Sequence, residues 1–365
     1  MNTKLCRWGI LGAAFIAQKN WQAIRDAGNA MLVAVASRDV AKAQAFINLC
    51  QASAPHAVVP EAMGSYDALL ARTDIDAVYI PLPTGLRKEW VIKAAQAGKH
   101  VLAEKPVGCT ADDVAEIIAK CEKHRVQFMD GVMFMHGRRL QLLRDVVDRD
   151  VGPLRHIATQ FSFLGDAAFQ KENIRAHGAL EPLGCLGDLG WYCIRFTLWA
   201  MKEAAPARVT GRIHSQTAPT DGSAPVPLAF SGTLEFEGGM NASFHCSFDA
   251  AHAQWAIVSG EKGLVRLDDF VLPFAGNETR YTLTRAEFAV NGCRADMRSG
   301  MQNALVDEPP NNAPGSQESA LFADFSTLVL SGQIDPRWGQ ISLLTQRVLD
   351  ACLRSAKADG APSGL

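Results

Sequence analysis

The chain has 365 residues, 48% of them hydrophobic, and a formal net charge of −2. That length suits two domains, each large enough for its own core, and the near-neutral charge gives no basis for a nucleic-acid or anionic-membrane partner. Nine scattered cysteines without a C-x-x-C pair, no apolar run of bilayer length and no room for a signal peptide before the first strand predict a cytoplasmic protein with buried free thiols and no metal site.

Lys4–Leu11 (KLCRWGIL) reads as the first strand and runs into Gly12-Ala13-Ala14-Phe15-Ile16-Ala17. Against the G-x-G-x-x-G fingerprint, Gly12, Ala14 and Ala17 hold the three glycine positions. These serve a tight turn, backbone approach to a pyrophosphate, and close helix–strand packing. Alone this is a weak motif, which a plain strand-to-helix turn would also produce. The following helix, about Ile16–Ala27, would aim its first amides at a phosphate. The second strand, Met31–Ala36, ends in Ser37-Arg38, where an NAD enzyme usually places an acid for the ribose 2′-hydroxyl. A hydroxyl and a guanidinium there suit a 2′-phosphate. The other reading is that Ser37-Arg38-Asp39 only opens the next helix, Val40–Cys50.

Val58–Pro60 is a short strand, and Ser65–Leu70 opens another helix. Asp76–Leu82 is an apolar run typical of a strand buried on both faces, closed by Pro81 and Pro83. Glu89–Ala97 has helical spacing with Gly98 as its C-terminal cap, and His100–Ala103 is again a strand. Strand, helix and strand make a right-handed parallel unit. Its ligands should lie beyond the strands' carboxyl ends, which places Pro81-Leu82-Pro83-Thr84 and Glu104-Lys105-Pro106 at the chemistry. Thr110 with two early acids starts a helix to about His124, and Gln127–Phe134 is the last strand of this half. The pattern is that of an α/β doubly wound parallel sheet. We divide the chain into residues 1–127 and 128–365.

Beyond Gly152-Pro153 the period changes. His156–Phe163, Ala207–His214, Ala229–Phe236, Met240–Phe248, Gln254–Gly260 and Gly263–Asp268 read as an antiparallel sheet with short turns. Its patchy alternation suggests cover on both faces. Ser215–Pro227 and Asp307–Gly315 read as loops, and helices at about Glu318–Ser331 and Ile341–Ala358 end the chain. Within this half, GCLGDLGWY (184–192) leads into the apolar helix Cys193–Trp199. Asp188 and Tyr192, four residues apart, share a helix face. By themselves they would pass as a cap and a core residue.

WGILGAAFIA, AVYIPLP with GKHVLAEKP, DGVMFMHGR and GCLGDLGWY occur in this order over most of the chain. As a set they resemble the glucose–fructose oxidoreductase / inositol dehydrogenase (Gfo/Idh/MocA) family. The ASR after the second strand and the D-L-G-W-Y form are nearest to the branch of dihydrodiol and NADP-linked xylose dehydrogenases. The resemblance implies an N-terminal Rossmann domain and a C-terminal α/β domain with an open, mostly antiparallel sheet. It implies NADP, with NAD possible, as cofactor, held by Gly12–Ile16, Ser37, Arg38, Pro81–Thr84 and Glu104–Pro106. It implies Lys105 beside the nicotinamide, a cis peptide before Pro106, and Asp188 and Tyr192 as the acid and the His-or-Tyr of the active-site helix. A sugar-like substrate and a homodimer or homotetramer go with it. The chain departs from the family at Thr84 and Arg87, often Asn and His, at Ala14, and at Glu181-Pro182-Leu183-Gly184, where many members have a glycine run.

Hydride transfer between an alcohol carbon and nicotinamide needs an acid/base for the hydroxyl proton. Tyrosine, ordinarily at about 10, becomes a better base beside an ammonium. Tyr192 is therefore assigned as acid/base with Lys105 as its electrostatic partner and Asp188 holding the pair. Lys105 as the proton carrier is the alternative, and His136 and His177 are further pocket candidates. Two other classes stay open: a glycosidase that uses tightly held NAD, and a non-catalytic nucleotide sensor.

Overall fold

Short runs of β-branched and small apolar residues alternate with helices through the first third of the chain, and they fold as expected for such a pattern. A computed structural model describes residues 4–166, 169, 173, 178–219, 222–274 and 279–365. The elements are β1 (Cys6–Leu11), α1 (Phe15–Asp26), β2 (Ala30–Ala36), α2 (Val40–Ser53), β3 (Glu61–Met63), α3 (Tyr66–Leu70), β4 (Ala77–Ile80), α4 (Thr84–Gln96), β5 (His100–Ala103), α5 (Ala111–Lys123) and β6 (Phe128–Asp130). Their strands form a six-stranded parallel sheet ordered β3-β2-β1-β4-β5-β6. All four residues of β4 are buried, as helices on both faces of a parallel sheet require. Asp39, Ser65 and Thr110 cap α2, α3 and α5 by accepting from backbone amides. Strand order reverses between β1 and β4, which opens a crevice at their carboxyl ends.

The second sheet has eight strands, ordered β16-β13-β12-β11-β7-β10-β9-β8. They are β7 (Leu154–Leu164), β8 (Arg208–Gln216), β9 (Pro227–Glu235), β10 (Asn241–Ser247), β11 (Asp249–Gly260), β12 (Leu264–Leu267), β13 (Arg280–Thr284) and β16 (Met301–Leu305); β14 (Glu287–Asn291) and β15 (Arg294–Arg298) form a separate hairpin. Helix α7 (Trp191–Ala200) and the last helix of the chain cover one face.

The chain's end ties the two sheets together. Helix α8 (Gln317–Ser331) packs on the first domain, where Trp8 Nε1 donates to Ser326 Oγ at 3.0 Å and the Trp8 ring lies 5.1 Å from both Phe322 and Phe325. Helix α9 (Arg337–Lys357) spans both layers. Its Asp350 accepts from the Ala111 amide at 2.6 Å, and its backbone lies so near β8 that only glycine fits at Gly211.

Several sequence expectations are corrected. The strand read at Val58–Pro60 lies three residues on, at Glu61–Met63, leaving Val58 and Val59 exposed. Gln127–Phe134 is a strand only over Phe128–Asp130; Met133–His136 turn instead as a 3-10 segment. Helix α6 (Arg138–Val146) and strands β13 to β16 were not read from the sequence. The second sheet is mostly antiparallel, as the resemblance implies, but it is not wholly so, since β7 and β10 run parallel. Among the described residues, Trp255, Ile257 and His245 on its other face are only half-buried. All nine cysteines are free, but Cys293 is exposed and Cys109 half-buried. Burial pushes the Cys6 thiol up to about 12, so such thiols are inert packing groups. No helix among the described residues is long and apolar enough to cross a membrane.

Candidate active site

Three turns meet at the carboxyl ends of β1, β4 and β5. Gly12 has φ +120°, and a Cβ there would come within 2.9 Å of Leu82 Cδ2, so glycine is needed for both conformation and space. Ala14, by contrast, has φ −84° and ψ 154°, which any residue adopts, and Ala17 is fully buried against the sheet. Ala14 is also the N-cap of α1 and has no side chain that can cap, so the first-turn amides have no side-chain partner. An anion at that helix start would satisfy them. The residues present therefore fit a dinucleotide pyrophosphate.

Helix α4 starts differently. The Thr84 amide and hydroxyl both donate to the Glu181 carboxylate, at 3.0 and 2.5 Å, and the Gly85 amide donates to Leu180 O at 2.9 Å. The second domain thus caps this helix. Arg87, fully buried, donates from Nη2 to Leu82 O at 2.5 Å and from Nη1 to Pro106 O and Thr84 Oγ1. One guanidinium so joins the turn after β4 to the turn after β5. Burial pushes Arg87 below the usual guanidinium range, against the opposing pull of Glu181 and Glu104.

Behind the third turn lies a buried polar network. Tyr79 donates to Glu104 Oε1 at 2.6 Å, and Asn20 donates to Tyr79 at 2.6 Å. Burial, then Glu104, holds the Tyr79 phenol well above its ordinary value, so it remains a neutral donor. Glu104 Oε2 in turn accepts from the Lys105 amide at 3.3 Å. The Lys105–Pro106 bond is cis.

Lys105 reaches across to the second domain. Its Nζ donates to Asp188 Oδ1 at 2.6 Å and to Asp188 O at 2.7 Å, and lies 4.5 Å from the centre of the Tyr192 ring. Asp188 belongs to a wide turn, Leu186–Gly190, continuous with α7, and Tyr192 is the second residue of that helix. Their four-residue spacing therefore puts both on the same ammonium. Both line, with Lys105, an interdomain cavity of about 560 Å³. Phe161, 5.6 Å from the Tyr192 ring, forms part of its far wall.

Of the other residues singled out by sequence, Ala14, Phe15, Ile16, Pro81, Leu82, Pro83, Glu104 and Pro106 line the same cavity. Ser37, buried, and Arg38, exposed, end β2 away from it. Arg38 lies near Tyr66, whose phenol burial raises and Arg38 opposes. His136 is not in the wall: Nδ1 pairs with Asp324 at 2.7 Å and the ring stacks on Trp338. His177 lies outside the described residues.

Sequence reasoning missed Asn20, Tyr79 and a buried ion pair under α7, and it marked Arg87 and Glu181 only as departures from the family pattern, not as groups that join the turns. Arg195, one turn beyond Tyr192, donates to Asp130 at 3.1 and 2.7 Å, with both side chains fully buried. Trp191 Nε1 donates to the same carboxylate at 3.1 Å, and Thr345 of α9 takes Arg195 Nε at 3.0 Å. No local signal marks these partners, which are 65 residues apart in the Asp130–Arg195 case.

The family described as an oxidoreductase family with an NAD-binding Rossmann fold matches residues 6–132, and the GFO/IDH/MocA C-terminal domain matches residues 140–266. A D-xylose 1-dehydrogenase (NADP(+)) of Haloferax volcanii is 34% identical over 70% of this chain and 74% of its own. A trans-1,2-dihydrobenzene-1,2-diol dehydrogenase of Mus musculus is 31% identical over 73% and 76%. A 3-ketoreductase from Actinomadura kijaniata, solved with NADP and TDP-benzene, superposes with a TM-score of 0.77 at 24% identity, covering 96% of this chain and 98% of that one. The chain is therefore a member of the Gfo/Idh/MocA family and an NAD(P)-dependent oxidoreductase.

Proposed function

We propose that the protein interconverts a secondary alcohol and a carbonyl on a sugar-like substrate with NADP(H), using Lys105, Tyr192 and Asp188. The observation that carries this is the Lys105 ammonium, bonded to Asp188 at 2.6 Å and seated on the Tyr192 ring at the strand-end crevice. A bound nicotinamide supplies the hydride acceptor or donor. Tyr192 exchanges the proton at the substrate oxygen, with the Lys105 ammonium seated over its ring. Asp188 aims Lys105 and leaves the ammonium paired when substrate is absent. Residues 1–127 carry the nucleotide and residues 128–365 the substrate and the subunit contact. Nine thiols without a disulfide agree with a cytoplasmic setting. The test is steady-state turnover of NADP(H) with a panel of sugars and polyols. Absence of turnover with all of them removes the proposal.

NADP rather than NAD rests on Ser37-Arg38 at the end of β2. Arg38→Ala is expected to weaken NADPH by about 1.5–3 kcal/mol, the scale of a hydrogen bond to a charged group, and to leave NADH nearly unchanged. Fluorescence titration of both cofactors checks it, and equal losses would refute the 2′-phosphate contact.

The half-buried face of the second sheet supports assembly as a homodimer or homotetramer. Trp255 and Ile257 stand on that face, half-buried in a single chain, and an antiparallel face carrying such residues gains by being covered. Light scattering at micromolar concentration should give at least the dimer mass; a monomer would exclude this contact.

A further inference from the structure

Resting on the reading of Lys105 as a catalytic group, we infer that Tyr79, backed by Asn20, is a positioning residue for it, acting through the Glu104 carboxylate. Lysine carries its ammonium on a flexible four-carbon stem, so both ends of the side chain must be fixed to hold the charge in one place. Asp188 of the second domain fixes the tip, at 2.6 Å. The other end is set by the turn after β5, where Glu104 Oε2 accepts from the Lys105 amide at 3.3 Å. Glu104 is itself held from behind. Its Oε1 accepts from the Tyr79 hydroxyl of β4 at 2.6 Å and from Asn20 Nδ2 of α1 at 3.4 Å, and Asn20 also donates to Tyr79 at 2.6 Å. Gly131, after β6, leaves room for this carboxylate, since a Cβ there would stand 3.2 Å from Oε1. The Tyr79 ring meets Phe322 of α8 edge-on, with ring centres 5.7 Å apart.

Packing alone does not account for this arrangement. A parallel sheet buried on both faces is filled by apolar side chains, yet a carboxylate, a phenol and an amide lie here, none more than 8% exposed. Each costs desolvation unless it is bonded, and a bonded polar network holds one geometry where apolar contacts would tolerate several. The bonds run from α1 and β4 to the Lys105 amide at the cavity wall. Tyr79 is fully buried, so it reaches the reacting atoms only through Glu104. Loss of its phenolic oxygen lets the carboxylate and the Lys105 main chain shift, and a displacement of about 1 Å at a catalytic group can cost about 10²-fold in rate.

The experiment is a kinetic double-mutant cycle, with NADPH titrated separately by fluorescence and melting temperature reporting that each variant folds. Tyr79→Phe is expected to lower kcat about tenfold, with NADPH affinity unchanged. In a Lys105→Met background the same substitution should cost nothing further, because no ammonium is left to place. A residue that only stabilises the fold would lower both backgrounds by the same factor. Gly131→Ala keeps every hydrogen-bonding group but crowds Glu104 Oε1. It should reproduce the loss and its disappearance in Lys105→Met, and it decides the matter if Tyr79→Phe does not fold. Equal losses in the two backgrounds, an unchanged kcat in the folded variant, or a loss confined to NADPH affinity each overturn the inference and leave the oxidoreductase reading in place. Full turnover in Lys105→Met overturns the role of Lys105 and the inference together.

Discussion

Lys105→Met is expected to lower kcat by about 10²–10⁴, and Tyr192→Phe to lower it over the same range, the usual worth of a positioned acid or base. The two variants differ in what else they disturb. Removing the ammonium leaves the Asp188 carboxylate without its 2.6 Å partner and strips the cation from the Tyr192 ring, so Lys105→Met should be at least as damaging. Removing only the phenolic oxygen leaves the aromatic packing against Phe161 and Phe134 intact, so the fold and NADPH affinity should stay as they are. Stopped-flow measurement of the hydride step, with NADPH titrated separately, distinguishes the proton carriers. Near-normal turnover in Tyr192→Phe would make Tyr192 a packing residue and Lys105 the sole carrier of the proton.

The second large effect is expected under α7. Asp130→Ala leaves the Arg195 guanidinium fully buried without its carboxylate and also frees Trp191 Nε1. Breaking a buried pair from one side typically costs about 3–5 kcal/mol, because a charge is left uncompensated. Equilibrium denaturation should register that loss. Replacing both members, Asp130→Leu with Arg195→Met, should recover much of it, since an apolar pair pays no such desolvation. Full stability in the single variant would mean that water reaches Arg195 and that the pair does not anchor α7. Because Arg195 lies one helical turn from Tyr192, the single variant should also reduce kcat, while the double variant separates loss of position from loss of stability.

What the chain declares locally is considerable, and each legible feature has a local cause. The turn at Gly12, the caps at Asp39, Ser65 and Thr110, and the apolar run that becomes β4 are set by residues within a few positions of one another. The spacing of Asp188 and Tyr192 needs only helical periodicity to put both on one side, and both meet Lys105. Errors arise where local preference is overruled. Val58 and Val59 are good strand formers, but pairing with β2 is made by Glu61–Met63 instead. Phe134 has the composition of a strand continuation, but it is drawn into a 3-10 turn where its ring packs on Phe196 and Phe270. The parallel pairing of β7 and β10 is likewise a matter of chain crossing, which no run of residues records.

By itself, then, the sequence determined the doubly wound first domain, the strand-end positions of Lys105 and the Asp188–Tyr192 pair, because periodicity, capping and turn chemistry act over one or two turns of chain. Only the tertiary structure decided what stands around them. Glu181 caps α4 from the other domain, Arg87 joins two turns through their carbonyls, and Asp130 neutralises Arg195 beneath α7. Such contacts depend on desolvation. A charge buried in the fold must find a partner wherever the chain brings one, and that partner is chosen by topology across tens of residues rather than by neighbours in sequence.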